Sequence, residues 1–177
     1  MARNYELLTD DTIMVSGHKL FRICASISFN NIEAGEKGGY IESEKNLAHE
    51  RDAWVSGNAQ VSGNAQVTGN ARVSGNARVI GNARISGNAQ IDGNAQINGD
   101  ACVSSDTHYL CISPIGSRND AITFTRTKEH KIAVAVGCFR GDIDQFEAQV
   151  KATHGENEHA KTYMLAARLA RTRIDLS

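Results

Sequence analysis

Val55-Ser-Gly-Asn-Ala-Gln-Val-Ser-Gly-Asn-Ala-Gln-Val67 sets the rhythm of an array that runs from Ala53 to Val103 without an insertion or deletion. Gly recurs at 57, 63, 69, 75, 81, 87, 93 and 99, Val or Ile at 55, 61, 67, 73, 79, 85, 91, 97 and 103, and an Ala stands two residues before each of these aliphatic positions. The period is six. A helix needs apolar residues at every third or fourth position, and each interior Gly weakens it by about 1 kcal/mol, so a helix is excluded. Residues two apart share one face of an extended segment, which puts each Ala and its Val or Ile on the same side. Gly-Asn follows where the chain must turn, since Gly accepts positive φ freely and Asn tolerates it. The unit is a short strand and a corner.

A fixed short period is the mark of a solenoid. The pairs Val55 with Ala59 and Val61 with Ala65, an aliphatic residue followed four positions later by a small one, resemble the hexapeptide-repeat family. That resemblance implies a left-handed parallel β-helix, with the left-handed crossover that is the exception to the usual rule. Three hexads would then form a triangular coil of eighteen residues, stacking Val55/Val73/Ile91, Val61/Val79/Ile97 and Val67/Ile85/Val103 inside, and Asn58/Asn76/Asn94 at a corner. At roughly 4.8 Å between strands, three coils span only about 14 Å. So short a prism of three to four coils needs a cap at each end and partners at its sides.

The flanks supply the caps. Residues 1–38 read as an N-terminal β cap with strands at Tyr5–Leu8 and Leu20–Ala25, residues 39–106 as the solenoid, and residues 107–177 as a small C-terminal α/β domain. Ile41 and Leu47 lie twelve and six residues before Ala53, in the small-residue register, which leaves Ser43 and His49 in the aliphatic one. In the C-terminal domain, Tyr109–Pro114, Ala121–Arg126 and Lys131–Val136 have strand composition, and Gly116–Asp120 reads as a turn. Asp142-Ile-Asp-Gln145 is a capping box opening a helix whose Ile143, Phe146 and Val150 share a face, with His154-Gly155 as its end. A last helix from about Asn157 aligns Ala160, Tyr163, Met164, Ala167 and Ile174.

The stretch Gly39-Tyr-Ile-Glu-Ser-Glu-Lys-Asn-Leu47, then Ala53-Trp-Val55 and the hexads, resembles a group of bacteriophage and prophage proteins. The tail motifs Gly116-Ser-Arg118, Gly137-Cys-Phe-Arg-Gly141 and Phe146 to His154 are similar to a domain found behind such repeats. The resemblance implies a homo-oligomeric, trimeric protein of a bacterial cytoplasm. Met1 to Asp10 lacks signal-peptide character, and no apolar run approaches the ~20 residues that span a bilayer, so no membrane partner is expected. Ile80 interrupts a column of polar residues between Ser62 and Asn98, and is the candidate oligomer contact.

With 177 residues, net charge −1 and 41% hydrophobic residues, the composition excludes bulk basic character. Arg72, Arg78 and Arg84 fall one on each face of the coil, a girdle that offers duplex nucleic acid no basic stripe. Cys24, Cys102, Cys111 and Cys138 contain no CxxC pair, so neither a zinc site nor a disulfide framework is indicated, and no metal or cofactor is expected.

Three functions compete. Hexapeptide proteins include coenzyme A-dependent acyltransferases with a His base between subunits, but this array throws out no loop, and its candidates His49 and His108 have no orienting neighbour in sequence. A purely structural role, as a trimeric scaffold or a stacking polymer, is the second; the two caps argue against open-ended polymerisation, which needs exposed coil ends. The third, and the one adopted, is non-catalytic binding of a nucleotide-like signal or of a host defence protein. Ser117, Arg118 and Asn119 in a turn, Arg126 and Lys128 after a strand, and Phe139 and Arg140 before the helix at Asp142 suit an anion. Phe139 or Tyr163 would stack on a base. Asp142 and Asp144 at that helix start oppose an anion.

Overall fold

The computed structural model describes residues 3–177, which leaves the first two residues of the cap and of the Met1–Asp10 segment outside it. Its centre is a parallel β-solenoid built from two-residue strands. After β1 (Tyr5–Val15), β2 (His18–Ala25) and β3 (Lys37–Ile41) come β4 (Trp54–Val55), β5 (Gln60–Val61), β6 (Gln66–Val67), β7 (Arg72–Val73), β8 (Arg78–Val79), β9 (Arg84–Ile85), β10 (Gln90–Ile91), β11 (Gln96–Ile97) and β12 (Cys102–Val103). They stack on three faces, β4-β7-β10, β6-β9-β12 and β3-β5-β8-β11, in parallel register eighteen residues apart within the regular array. The three expected aliphatic ladders are all present.

Val79, Ile85, Ala77 and Ala83 are fully buried. The small Ala column lets the three walls approach closely between the Val and Ile columns. Each coil hangs on the next by backbone bonds, such as Gln60 N to Ala77 O at 2.9 Å and Asn58 N to Gly75 O at 2.9 Å. At the corners, Asn58 Nδ2 donates to Asn76 Oδ1 at 3.3 Å, and Asn76 Nδ2 to Asn94 Oδ1 at 3.2 Å. Gly75 shows why the corner excludes a side chain: its φ is +67°, and an added Cβ would lie 2.8 Å from the Gly93 carbonyl oxygen.

The first coil departs from the expected register. Ile41 pairs with Val61 and Leu47 with Val67, so both fill the aliphatic columns and not the Ala column. The cause is a corner two residues longer, between Ala48 and Asp52. Arg51, at φ +63°, takes the place of the corner Gly, and Asp52 N donates to Gly69 O. His49 is looped out of the register and stacks on Tyr5, ring centroids 4.2 Å apart. Ser43 likewise leaves the core columns, preceding a 3₁₀ turn at Glu44–Asn46. Asn46 plugs that turn, fully buried, with Nδ2 donating to Gly63 O at 3.1 Å and Ala65 O at 2.9 Å.

The N-terminal cap is a hairpin longer than the expected strands. β1 and β2 join β3 antiparallel, so one solenoid face grows into a six-stranded sheet, β1-β2-β3-β5-β8-β11. The segment between β2 and β3 roofs a second face. Phe29 packs edge-on against Trp54, centroids 5.6 Å apart, and Arg72 Nη2 donates to Asn31 Oδ1.

The other end is closed by a four-stranded antiparallel sheet, β13 (Tyr109–Ile115), β14 (Asp120–Arg126), β15 (Ile132–Val136) and β16 (Phe139–Asp142), carrying α1 (Ile143–His154) and α2 (Glu158–Arg173). β16 is the strand that sequence composition does not announce. The sheet is covered on both sides. Tyr109 and Cys111 pack on the solenoid core, and Thr123 Oγ1 accepts from Gln96 N at 2.9 Å. Ile122, Phe124 and Val134 face the helices, against Phe146, Val150 and Tyr163. The Asp142 carboxylate accepts from Gln145 N at 2.8 Å to start α1, Gly155 ends it, and Asn157 Oδ1 accepts from Ala160 N to start α2. Among the described residues no helix is long and apolar enough to cross a membrane.

Candidate functional site

Two hairpin turns of the capping sheet come side by side, the β13–β14 turn at Gly116–Asn119 and the β15–β16 turn at Gly137-Cys138. A Cβ added to Gly137 would lie only 3.3 Å from Arg118 Nη2 and 3.4 Å from Asp120 Oδ2. With the flank of α1 and the Tyr163 ring of α2, they enclose a cleft of about 570 Å³. The size matches a drug-sized or nucleotide-sized ligand.

An aromatic row forms its floor. Phe139 and Phe146 are 5.6 Å apart by ring centroids, Phe146 and Tyr163 5.7 Å, and Tyr163 and His154 5.7 Å. Tyr163 is buried with its ring over Gly116, where an added Cβ would collide with the phenol oxygen. Only Gly, here at φ +71°, gives that ring its seat. Burial pushes the Tyr163 phenol above its ordinary range, the Asp120 carboxylate adds to the rise, and Arg118 opposes it. The phenol therefore stays a neutral hydrogen-bonding group at any ordinary pH.

Among the described residues, Arg118 is the more loosely held cation of the cleft. Its side chain is 69% exposed and touches only Asp120 in an ion pair, Nε to Oδ2, at 3.3 Å. An exposed pair of this kind contributes little, so the guanidinium can turn to an incoming anion at small cost. Arg140 is not equally free. Nη1 donates to Gly137 O at 2.9 Å and Phe139 O at 2.6 Å, and Nη2 reaches Gln96 Oε1, so the side chain staples the β15–β16 turn to the solenoid. Its pKa is lowered by burial.

Of the residues singled out in the sequence, Ser117, Arg118, Phe139, Arg140 and Tyr163 line this one cleft. Asn119 does not; at φ +53° it shapes the turn that presents Arg118. Arg126 ends β14 and Lys128 follows it, so both lie at the far end of that seven-residue strand from Arg118, roughly 20 Å away. Arg126 Nη1 contacts His108 Nε2 at 2.9 Å, and Lys128 pairs with Asp100 at 3.3 Å. The start of α1 is also no anion seat. Its capping box occupies it, Asp144 pairs with Arg171 at 2.6 Å, and the helix borders the cleft with its later turns.

Sequence reasoning missed Asp120, Gln149, Thr153 and His154, all of which line the cleft. Gln149 and Thr153 carry a usable signal: they follow Phe146 by three and seven residues, one flank of α1, and Gln149 Nε2 donates to Thr153 Oγ1 at 2.8 Å.

Neither candidate base is poised for chemistry. His108 is buried, with Nδ1 toward Ser104 and Nε2 toward Arg126; burial first, and the Arg126 charge second, hold its pKa down. Both ring nitrogens of His49 are enclosed without a hydrogen-bond partner among the described residues, against Tyr5. Ile80 stands 41% exposed on the solenoid wall. No protein-family model matches this sequence, and no curated protein matches it significantly.

Proposed function

We propose that the protein is a non-catalytic binder that sequesters a small nucleotide-like ligand in the cleft of its C-terminal domain. The observation that carries this reading is one juxtaposition: an exposed Arg118, held only by its ion pair to Asp120 among the described residues, beside an aromatic row in a cleft of about 570 Å³. A planar base stacks against Phe139 and the Tyr163–His154 edge. A phosphate takes Arg118 in a charge-assisted pair, with Ser117 and the Tyr163 hydroxyl as neutral hydrogen-bonding groups. Holding a ligand needs no nucleophile or base, and the two candidate bases His49 and His108 lie outside the cleft. The resemblance to phage and prophage proteins makes a nucleotide signal of the host the ligand to test first. It also favours a left-handed coil and a trimer formed through the solenoid walls around Ile80.

The test is native mass spectrometry of the purified protein mixed with cyclic nucleotides, ADP-ribose derivatives and acetyl-coenzyme A. A retained nucleotide is expected, with affinity falling at least about tenfold in Arg118→Ala, the loss of one charge-assisted contact. Arg140→Ala should have the smaller effect, because its contacts are internal. Retention of acetyl-coenzyme A alone, or nucleotide binding indifferent to Arg118→Ala, overturns the assignment. Uptake of nothing moves the target to a host defence protein.

A further inference from the structure

Among the described residues Asp120 is the one carboxylate that lines the cleft, and an anion alone has no use for it. It opens β14 directly after the turn that presents Arg118. Oδ2 accepts from Arg118 Nε at 3.3 Å, and Oδ1 accepts no hydrogen bond among the described residues. The same turn faces a second unspent group. Tyr163 is 8% exposed, its hydroxyl lies over Gly116, and that hydroxyl forms no hydrogen bond among the described residues. A tyrosine so nearly enclosed ordinarily has a partner for its hydroxyl, and here the open side is the cleft. Ser117, Gln149 and Thr153 add further neutral polar groups to the lining.

Charge limits what such a cleft can hold. Its lining carries two guanidinium groups, Arg118 and Arg140, and the Asp120 carboxylate, with the His154 imidazole beside Tyr163. Arg140 spends its Nη donors on Gly137 O, Phe139 O and Gln96 Oε1, so one mobile guanidinium stands beside one carboxylate. A phosphodiester brings a single negative charge, which Arg118 can match while Asp120 stays ionised. A terminal triphosphate brings several, and they would crowd against Asp120 with no second mobile guanidinium to meet them. The carboxylate suits a different part of a nucleotide. In dinucleotide sites an acidic side chain accepts from the ribose 2′-hydroxyl. That hydroxyl and the 3′-phosphoryl oxygen stand on neighbouring ring carbons, as Asp120 and Arg118 stand side by side.

Resting on the reading of the cleft as a nucleotide site, we propose that Asp120 sets the class of ligand. The cleft takes a ribonucleotide with a singly charged phosphodiester: the 2′-hydroxyl donates to the Asp120 carboxylate, the phosphate pairs with Arg118, and terminal polyphosphates are rejected.

The test is equilibrium dialysis of the full chain against cyclic mono- and dinucleotides of adenine and guanine, their 2′-deoxy counterparts, and ATP and GTP. A cyclic ribonucleotide should bind at least about tenfold more tightly than its 2′-deoxy counterpart and than the triphosphate of the same base. Asp120→Ala should remove both preferences. Asp120→Asn keeps an acceptor without the charge, so it should narrow the triphosphate gap at least about tenfold and retain part of the hydroxyl preference. Comparing ligands within each variant cancels any general change in the cleft. Asp120 is partly exposed, and the thermal melts of both variants should stay close to that of the parent chain. Cyclic ribonucleotides bound no better than the 2′-deoxy or triphosphate forms, or preferences that persist in Asp120→Ala, overturn this assignment and leave the cleft a nucleotide site. Uptake of no nucleotide by the parent chain overturns that reading, and this one with it.

Discussion

The solenoid and the domain that closes it both have fully buried cores, yet they are organised in opposite ways. Val79 and Phe124 are both fully buried. Around Val79 the pairing repeats, with Val61 on one side and Ile97 on the other, and the backbone bonds recur at 2.9 Å from Gln60, Gln66 and Arg72 to the Ala carbonyls of the next coil. Around Phe124 nothing repeats: its ring meets Phe146 edge-on at 6.1 Å, and Tyr163 sits over Gly116. Repetition makes walls, and walls make poor binding sites. Departure from repetition places an arginine beside an aromatic row.

The largest test of this contrast is Phe124→Ala, which removes the centre of the non-repeating core. It should cost about 3–5 kcal/mol in a denaturant titration. It should also strip protection from the last coil, since Gln96 N bonds to Thr123. Within the solenoid, Gly75→Ala and Gly93→Ala change the same corner position with and without a coil beneath it. Both meet positive φ, a strain of about 1–3 kcal/mol, but an added Cβ meets the Gly93 carbonyl at 2.8 Å only in the first, and open space in the second. Gly75→Ala should therefore exceed Gly93→Ala by about 1 kcal/mol or more. Equal losses would mean that coil stacking does not carry the corner.

Asn76→Ala breaks two rungs of an exposed amide ladder. The expected loss is only about 0.5–1 kcal/mol by thermal melting. A smaller and pH-dependent effect belongs to the junction. Burial and Arg126, with a further push from His130 and against the pull of Asp175, hold the His108 pKa below 6.5. The neutral ring is thus favoured in the folded chain; its contribution is complete above pH 6.5 and is lost as pH falls toward the folded-state value. His108→Gln should flatten that acid limb, and an unchanged limb would remove His108 as its source. Ile80→Ser should leave stability within about 0.5 kcal/mol. If the wall around Ile80 joins subunits, sedimentation should show the oligomer weakened in this variant.

The contrast also explains what was legible in advance. The period of six gave every aliphatic ladder from Val55 to Val103, because one register decision propagates through all coils. It failed where the period fails: two extra residues before Asp52 moved Ile41 and Leu47 to other columns. Both helices were readable from capping residues, which are local signals. β16 was not, because Phe139-Arg-Gly-Asp142 has poor strand composition and pairs only because the Gly137-Cys138 turn folds it back on β15. Of the proposed anion-binding set, Arg118 and Phe139 converge although twenty residues part them, since neighbouring hairpin turns meet at one end of the sheet. Arg126 and Lys128 diverge although they are close to Arg118 in sequence, because a full strand intervenes.

The central claim is that ligand binding belongs to the irregular domain and not to the solenoid. Hydrogen–deuterium exchange tests it most directly, comparing the protein alone with the protein saturated by a cyclic dinucleotide or ADP-ribose. The account expects slowed exchange in 116–120, 137–140 and 146–154, with the hexads from Ala53 to Val103 unchanged. Protection confined to the solenoid wall around Ile80, or spread evenly along the coils, would contradict it.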